Sequence, residues 1–304
     1  MSNPEIRVVK NKDIDFQKWD QCIENSLNSR VYAYSWYLDI ICPDWHGLIW
    51  GDYEYVMPLI FRRKLGMTFL LQPIFAQQHG IFPIAPFEIQ TVFLNYIRNQ
   101  FSYIAIQLNA FHSLPFPEEF DVIVRKNLIL RLNPGYDELK SQYSKHAQRQ
   151  LRKAENMKVS VIKGLQPIEY IRLKNQATDN QLSQKPMQIL LRLIEYGYRT
   201  GKGTIYAAYS ETNTLCAAAF FLNSGSYTIY LNAASNDEGK QNSSMYRIVD
   251  SFIHENSGSS LTLDFEGSSI PGVARFYEGF GAASEQYYSL KLDHLPIPFR
   301  WIKK

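Results

Sequence analysis

Cysteine is scarce in this sequence, and its spacing excludes the domain types that depend on it. The 304 residues include three cysteines, Cys22, Cys42 and Cys216, and no two of them form a Cys-x-x-Cys pair. Neither a disulfide framework nor a structural zinc site is indicated, and a reducing, cytoplasmic location is expected. The six histidines lack partners at metal-ligand spacing, so we predict no metal site.

Long apolar runs and a strong charge of either sign are also absent. No stretch approaches the roughly 18 apolar residues of a membrane span. The start of the sequence, MSNPEIRVVKNKD, has no apolar signal segment. We therefore expect no transmembrane segment. The formal net charge is +3, which does not by itself require a polyanionic partner.

Several catalytic motifs are missing as well. The chain contains no Gly-x-Ser-x-Gly elbow, no Gly-x4-Gly-Lys-Ser/Thr loop, no His-Glu-x-x-His helix and no Gly-x-Gly-x-x-Gly turn. These absences argue against a serine hydrolase, a P-loop nucleotidase, a zinc protease and a dinucleotide-binding enzyme.

What is present is the alternation of helical and strand periodicities that is typical of mixed α/β proteins. Hydrophobic residues make up 45% of the chain and charged residues 20%, as in an ordinary globular protein. The turn residues Asn133, Pro134 and Gly135 separate two such series of elements. We therefore predict two domains, 1–134 and 135–291.

The most basic segment is predicted to be one helix over 137–157. Its apolar side chains recur at helical spacing at Leu139, Tyr143, Ala147, Leu151 and Ala154. Lys145, Arg149 and Arg152, together with Lys153, gather on another face. Cations on one face can hold a phosphate or a carboxylate. A simple solvated helix face is the alternative.

A loop that leads into a helix at 236–245 is a second candidate anion site. The free N–H groups of a helix start bind anions, and Ser243 or Ser244 can cap this one. Gly239 is the only glycine in the loop, so an ordinary capped helix is the alternative interpretation.

Two acids end the predicted strand LTLDFEG. Asp264 and Glu266 are two residues apart, so in a strand both point to one face. Paired carboxylates repel, which tends to raise a pKa and can supply a general base or bind an amine. Arg275, in the helix that follows, lies opposite the apolar stripe. It either pairs with Glu278 or Glu266, or faces a charge on a ligand.

Neutral amides occur together in the first half of the chain. Gln77 and Gln78 precede His79 and Gly80 at the end of a predicted strand. Amide side chains can bind a polar substrate without a charge. A satisfied edge strand would use the same residues, so both interpretations stay open.

Three segments of the second half carry a family resemblance. They are YSKHAQRQLRKAENMKVSV, YLNAASNDE and LTLDFEGSSIPGVARFYEGFGA. They resemble the basic helix and strand, the central strand and loop, and the Asp-Phe-x-Gly-Ser…Arg-Phe-Lys…Phe-Gly signature of Fem-type (FemABX-like) transferases and related tandem-domain acyltransferases of the GNAT superfamily. The last segment is the most specific. In the first half, MPLIFRRKLGMTFLLQPIFAQQHGIF is similar to a segment of small tandem-domain relatives.

The resemblance implies a mixed α/β fold of two GNAT-like domains in tandem, with the C-terminal tail, 292–304, packed on the first. It also implies transfer of an acyl or aminoacyl group to a small-molecule or peptide-like amine, for example on a cell-envelope precursor. The donor would be acyl-CoA or aminoacyl-tRNA, so tRNA is one expected partner, and no cofactor would be tightly bound. A catalytically inactive GNAT-fold protein that binds a ligand or RNA is the alternative. Where the family often has lysine, this chain has Tyr277, and no coiled-coil arm is inserted.

Roles follow for the candidate residues. Asp264 or Glu266 would be the base, and backbone N–H groups beside Asn232, on a splayed central strand, would stabilise the oxyanion. The remaining residues divide into donor-binding positions, which are Lys145, Arg149, Arg152, Ser243 and Ser244, and substrate-cleft positions, which are Gln77, Gln78, Asn232, Arg275 and Tyr277.

Overall fold

A computed structural model of the protein describes residues 6–112, 115–177, 182–267 and 270–296. The described residues form two compact units, one within 6–125 and 286–296 and the other within 126–285. Helices and strands alternate in both, so the predicted mixed α/β class is confirmed. Among the described residues, no helix combines the length and the apolar character needed to cross a bilayer.

The strands are β1 (Ile6–Lys10), β2 (His46–Trp50), β3 (Tyr55–Leu59), β4 (Phe61–Lys64), β5 (Met67–Leu71), β6 (Tyr103–Leu108), β7 (Asp121–Arg131), β8 (Ser160–Lys163), β9 (Gly203–Tyr209), β10 (Leu215–Ser224), β11 (Tyr227–Ser235), β12 (Thr262–Asp264) and β13 (Ala283–Asp293). The α-helices are α1 (Phe16–Glu24), α2 (Ser35–Ile41), α3 (Phe87–Gln100), α4 (Tyr136–Ser141), α5 (Lys145–Asn156), α6 (Pro167–Gln176), α7 (Gln184–Thr200), α8 (Asp237–Gln241), α9 (Ser244–Asn256) and α10 (Pro271–Glu278).

The first unit contains two groups of strands. The antiparallel strands β1, β2 and β3 form one group, and β4, β5, β6 and β13 form the other, with a parallel pairing between β5 and β6. Helix α3 buries Phe93, Leu94 and Ile97 in a core with Ile104 and Leu290 of the strands. These three helix positions are spaced i, i+1 and i+4, as one buried stripe requires.

The second unit is built on one series of paired strands in the order β7-β12-β11-β10-β9-β8. Helices cover both faces of this series. On one face, Phe221 of β10 stacks on Phe252 of α9 with ring centroids 4.1 Å apart. On the other face, a Cβ atom on Gly203 would lie 2.5 Å from the ring of Phe220 and one on Gly197 of α7 2.9 Å from it, so glycine permits α7 to pack closely.

The predicted single helix over 137–157 is wrong in one respect, because the structure has two helices. The α-helical backbone stops after Ser141 and restarts at Lys145. Ser144 caps the second helix, since its hydroxyl oxygen accepts a hydrogen bond from the backbone N–H of Ala147. The apolar stripe of the prediction survives this break, because all five of its side chains are buried in the core of the unit: Leu139, Tyr143, Ala147, Leu151 and Ala154.

Candidate functional site

The central strand of the second unit, β11, has an open edge over its second half. It pairs with β10 along its length, but it pairs with the parallel strand β12 only from Tyr227 to Ile229. Among the described residues, 230–235 have no strand partner on the β12 side. Peptide N–H and C=O groups on an unpaired strand edge are free to bind a ligand. The predicted oxyanion segment beside Asn232 lies on this open edge.

A bulge lies at the start of this open edge. Tyr230 is opposite Phe221 and Asn232 is opposite Phe220, so Leu231 is an extra residue in β11. Bulges interrupt strand pairing and redirect side chains, and they are frequent beside active sites. Asn232 follows the bulge directly, which places the predicted oxyanion segment at the irregular part of the strand.

Helix α6 supports the strand at two consecutive residues. The hydroxyl of Tyr170 donates a hydrogen bond of 2.7 Å to Oδ1 of Asn232, and Nζ of Lys174 donates one of 3.1 Å to the backbone oxygen of Ala233. Tyr170 and Lys174 are one helical turn apart, so they lie on the same side of α6. Burial raises the pKa of Tyr170 and lowers the pKa of Lys174. Tyr170 therefore stays protonated and acts as a neutral donor at any physiological pH.

The two acids do not share a strand face, contrary to the prediction. Strand β12 ends at Asp264, and Glu266 adopts a left-handed backbone conformation with φ of 55°. Asp264 is fully buried, and its Oδ1 accepts a hydrogen bond of 2.8 Å from the backbone N–H of Glu266. This local bond makes an Asx turn and explains the early end of the strand. Glu266 is partly exposed and is the more accessible carboxylate of the two.

Tyr277 belongs to an aromatic group beside these acids. Its ring stacks on Phe265 with centroids 4.6 Å apart and meets Tyr230 edge-on at 5.9 Å. Tyr230 and Tyr277 are 7% and 9% exposed, and among the described residues neither hydroxyl has a hydrogen-bond partner. Burial and, secondly, the charge of Glu266 raise the pKa of Tyr277. Burial raises the pKa of Tyr230, with further contributions from Tyr277 and Tyr170.

The ring of Tyr230 contacts that of Tyr277, and Tyr170 binds Asn232, which is two residues after Tyr230. We call Tyr170, Tyr230 and Tyr277 the tyrosine cluster. It lies at the bulged end of the open edge, next to Asn232 and Glu266. Tyr230 and Tyr277 offer neutral O–H donors, the open strand offers backbone donors, and Glu266 offers a base, whereas the hydroxyl of Tyr170 is already bound to Asn232. This combination can stabilise a developing oxyanion and move protons.

The cationic helix and the start of α9 are held together in the same unit. Ser243 donates a 2.6 Å hydrogen bond to Oε1 of Gln150 in α5. Lys145, Arg149 and Arg152 are all exposed on α5, and Nη2 of Arg149 lies 3.1 Å from Nδ1 of His146. Among the described residues, none of these three cations forms an ion pair. They therefore present free positive charge to solvent.

The two predicted donor-binding serines are engaged inside the protein. Ser243 is the N-cap residue of α9, but it has φ of 62° and its side chain makes no capping bond, so the expectation that it caps the helix is wrong. The hydroxyl and the backbone N–H of Ser244 both donate to Oδ1 of Asn242, at 2.5 and 3.1 Å. Both serines are buried. Their role in donor binding stays a prediction.

The remaining candidates are Arg275 of the second unit and Gln77 and Gln78 of the first. Arg275 is exposed on α10, and no ion pair joins it to Glu278 or Glu266 among the described residues. Ion pairing with Glu278 or Glu266 therefore does not explain why an arginine occupies position 275. Gln77 and Gln78 belong to the first unit, where Nε2 of the fully buried Gln78 donates to Oε1 of Gln77 at 2.9 Å. Ser268 and Ser269, considered as caps for α10, lie outside the described residues.

Three residues of this site were not predicted from the sequence: Tyr170, Tyr230 and Lys174. The i, i+4 spacing of Tyr170 and Lys174 in PIEYIRLKNQ was an available signal, because both fall among the buried positions of α6. A tyrosine and a lysine on a buried helix side need polar partners. Nothing in the sequence indicates that these partners lie on β11, just beyond position 230.

No protein-family model matches the sequence, and no curated protein matches it. Several solved structures do match the fold. FemX has a TM-score of 0.66 at 12% identity, over 96% of this chain and 99% of its own. The C-terminal domain of a putative lysylphosphatidylglycerol synthetase from Agrobacterium fabrum has a TM-score of 0.56 at 9% identity, over 93% and 92% of the two chains.

A third structure, L-PGS from Bacillus licheniformis, has a TM-score of 0.54 at 10% identity, over 94% of both chains. In each case nearly the whole of both chains is matched. At these identities, the likeness concerns the fold and not the individual site residues. The expected resemblance is thus confirmed as a structural one: the chain has the fold that is common to FemX and these lysylphosphatidylglycerol synthetase domains.

Proposed function

We propose that this protein is an N-acyltransferase of two GNAT-like domains that moves an acyl or aminoacyl group from acyl-CoA or aminoacyl-tRNA to an amine. The observation that carries the proposal is the bulged open edge of β11 with Glu266 and the tyrosine cluster around it. Acyl transfer needs a base for the amine, donors for the oxyanion and an acid for the leaving group. All three types of group occur at this edge. The fold of FemX and of the synthetase domains supports the same class of reaction.

The reaction forms a C–N bond and breaks a C–S bond in a thioester or a C–O bond in an ester. Glu266 takes a proton from the acceptor amine as its lone pair attacks the acyl carbonyl carbon. Backbone N–H groups of the open edge near Asn232 bind the oxyanion of the tetrahedral intermediate. The electron pair then returns to the carbonyl and expels the leaving group.

Tyr277 supplies the proton that the leaving thiolate or alkoxide needs. Its raised pKa keeps the phenol protonated before the reaction. The proton that Glu266 has gained then returns to Tyr277, which restores both groups for the next turnover. This role suits the tyrosine that occupies the position where the family often has lysine.

The phosphates of the donor would bind to residues other than those that take part in the reaction. Lys145, Arg149 and Arg152 on α5 are exposed, and CoA and tRNA both carry phosphates that such cations bind. Ser243 and Ser244 lie at the start of α9, which Ser243 holds to α5, and they would border the same phosphate site. Arg275 would meet a charge on a substrate. The roles of Gln77 and Gln78 in acceptor binding, and of a cell-envelope precursor as acceptor, stay predictions.

The replacement Glu266→Gln tests the proposal. It keeps the shape of the side chain but removes the base, so we expect turnover of an acyl donor and an amine to fall by about 10²–10⁴-fold. Glu278→Gln, on the exposed side of α10, is the matched control and should leave turnover unchanged. Wild-type turnover in Glu266→Gln would refute the assignment of the base. The donor is identified first, by the increase in melting temperature with CoA, acetyl-CoA or aminoacyl-tRNA.

RNA binding without catalysis is the second candidate, and the unpaired cations of α5 favour it. This activity would bind uncharged RNA as tightly as aminoacyl-tRNA and would show no acyl transfer. Its affinity would fall steeply with salt. Stoichiometric CoA binding with little dependence on RNA would exclude it.

A further inference from the structure

Three polar side chains of the first unit converge on one buried residue, Ile81. Nδ2 of Asn28 donates to the backbone oxygen of Ile81 at 2.9 Å, and Nδ2 of Asn109 approaches the same oxygen at 3.5 Å. The backbone N–H of Ile81 donates to Nε2 of His112 at 3.4 Å. We call Asn28, His79, Asn109 and His112 the Ile81 cluster, because His79 precedes Ile81 on the same segment and bonds to Asn109 through its backbone.

The backbone is shaped for this convergence. Gly80 has φ of 126°, a conformation that side chains rarely adopt. A Cβ atom there would lie 2.6 Å from Nε2 of His112 and 3.0 Å from Nδ2 of Asn109. Glycine at this position therefore lets the imidazole and the amide contact the main chain directly.

Several atoms of this region have no hydrogen-bond partner within the part of the chain that the structure describes. They are Oδ1 of Asn28, Oε1 of Gln78, Nε2 of His79 and Nδ1 of His112, and all four residues are at most 7% exposed. A buried polar atom without a partner costs about 1–3 kcal/mol, and native proteins leave few of them. Two of the four, Oδ1 of Asn28 and Nδ1 of His112, belong to side chains whose other polar atom binds the main chain of Ile81.

The chemistry of these two atoms defines which group could bind them. Burial lowers the pKa of His79 and of His112 to about 3, so both rings are neutral at physiological pH. Because Nε2 of His112 accepts from Ile81, its proton is on Nδ1, which is a donor without an acceptor. Oδ1 of Asn28 is an acceptor without a donor, since its Nδ2 is bound to Ile81. A neutral partner with one donor and one acceptor fits these two atoms.

We propose that the Ile81 cluster is a binding site for an uncharged amide group, such as a peptide bond or an N-acetyl group. The amide N–H donates to Oδ1 of Asn28, and the amide oxygen accepts from Nδ1–H of His112. A charged group is disfavoured, because burial keeps both imidazoles neutral and they therefore offer no charge to balance that of a ligand. The inference rests on the first unit alone, so it stands or fails independently of the transferase proposal.

The test is a titration of the full-length chain labelled with ¹⁵N in its histidines. The probe is N-acetylglycinamide, which has amide groups and no charge, and the control probe is glycerol, which has hydroxyl groups only. We expect saturable shifts of the ring nitrogens of His112 and His79 with the amide, with a dissociation constant on the order of 1–100 mM for so small a probe. Saturable shifts with glycerol alone would reassign the site to hydroxyl ligands and overturn the proposal. The absence of saturable shifts with either probe would mean that solvent fills it, and would overturn the proposal too.

Substitutions in the Ile81 cluster test whether the shifts of the histidine ring nitrogens come from binding at this site. His112→Phe keeps a ring but removes Nδ1–H, and Asn28→Leu keeps the size but removes the acceptor; each should weaken amide binding by roughly tenfold or more, as expected for a buried hydrogen bond. His46→Phe, outside the cluster in the same unit, is the matched control and should bind as the wild type does. Wild-type affinity in both cluster variants would refute the proposal. If a variant fails to fold, the histidine titration of the wild-type chain still decides the matter.

Discussion

The hydroxyl of Tyr170 donates a hydrogen bond of 2.7 Å to Oδ1 of Asn232, the residue that follows the bulge of β11. Helix α6 thereby holds one side of the open edge, and Lys174 holds the next residue through its backbone oxygen. In the proposed reaction, this fixes the direction of the N–H groups that meet the oxyanion. The geometry of the strand therefore depends on a side chain that lies 62 positions earlier in the chain.

Replacement of Tyr170 by phenylalanine should show this dependence. The change removes one buried hydrogen bond, so we expect the free energy of unfolding to fall by about 1 kcal/mol. Turnover should also fall, because the support of Asn232 is removed. Urea unfolding and acyl-transfer kinetics measure the two effects. Tyr198→Phe is the matched control, because it removes the hydroxyl that accepts from Gln166 at an exposed position; equal effects of both variants would contradict the role of Tyr170.

Removal of the α5 cations should weaken donor binding and leave the fold unchanged. The triple replacement of Lys145, Arg149 and Arg152 by alanine takes away exposed charges that form no ion pair among the described residues. We expect a higher dissociation constant for CoA or tRNA and an unchanged melting temperature. If tRNA is the donor, the slope of log K against log salt should become less steep by about 0.7 for each cation that binds a phosphate in the wild type.

Arg199→Ala with Lys202→Ala is the control for this charge removal. Both cations are exposed at the end of α7. This double variant should bind either donor as the wild type does. An equal decrease of affinity in both variants would mean that the overall charge, and not α5, determines donor binding.

Stability should depend on pH through His79 and His112. Burial lowers the pKa of each from 6.5 to about 3, so between these values the unfolded chain binds more protons than the folded chain. Stability is therefore fully present above about pH 6.5 and is lost as the pH falls. The expected loss is about 1.4 kcal/mol per pH unit for each histidine within that window. Urea unfolding at pH 7, 6 and 5 measures the slope, and His112→Gln should reduce it by about half; a flat profile in the wild type would contradict the burial of neutral rings.

Gly239 should not tolerate a side chain. A Cβ atom at this position would lie 2.3 Å from the backbone oxygen of Cys216 and 2.5 Å from Oγ of Ser235. We expect Gly239→Ala to lower the free energy of unfolding by about 1–3 kcal/mol, because the backbone must move to relieve the overlap. Gly272→Ala in α10 is the control, since no atom lies within 4 Å of its Cβ position. Equal stability of the two variants would mean that α8, which contains Gly239, shifts without cost.

Periodicity in the sequence was sufficient to predict which side chains are buried in the core. It was not sufficient to predict where helices and strands end. The stripe from Leu139 to Ala154 is buried as predicted, because two helices that pack on the same core preserve its spacing. The break between them depends on the capping bond of Ser144, a short-range signal that the continuous stripe obscured. Helix α7, in contrast, ends with a local signal, because Gly201 follows it with φ of 70°, a conformation that favours glycine.

The site was harder to predict because it depends on pairings far apart in the sequence. The strand LTLDFEG looks long enough to place Asp264 and Glu266 on one face. It ends early because β11 stops pairing with β12 at Ile229 and Asp264 binds the N–H of Glu266. The tyrosine cluster joins positions 170, 230 and 277, and no local pattern connects them. The segment that resembles the Fem-type signature contains both Glu266 and Tyr277, so this part of the proposed site lies where the resemblance is most specific.

The extra residue at Leu231 also decides to which side of the sheet its neighbours turn. In an even strand, residues two apart share a side, so Tyr230 and Asn232 would point the same way. Here they lie opposite Phe221 and Phe220, which alternate, so Tyr230 turns toward the side of α9 while Asn232 turns toward α6. One inserted residue thus places the side chains of Tyr230 and Asn232 on opposite faces of the sheet, although they are only two positions apart. In the proposed reaction, a transferred group at the open edge would therefore have polar side chains of β11 on both faces of the sheet.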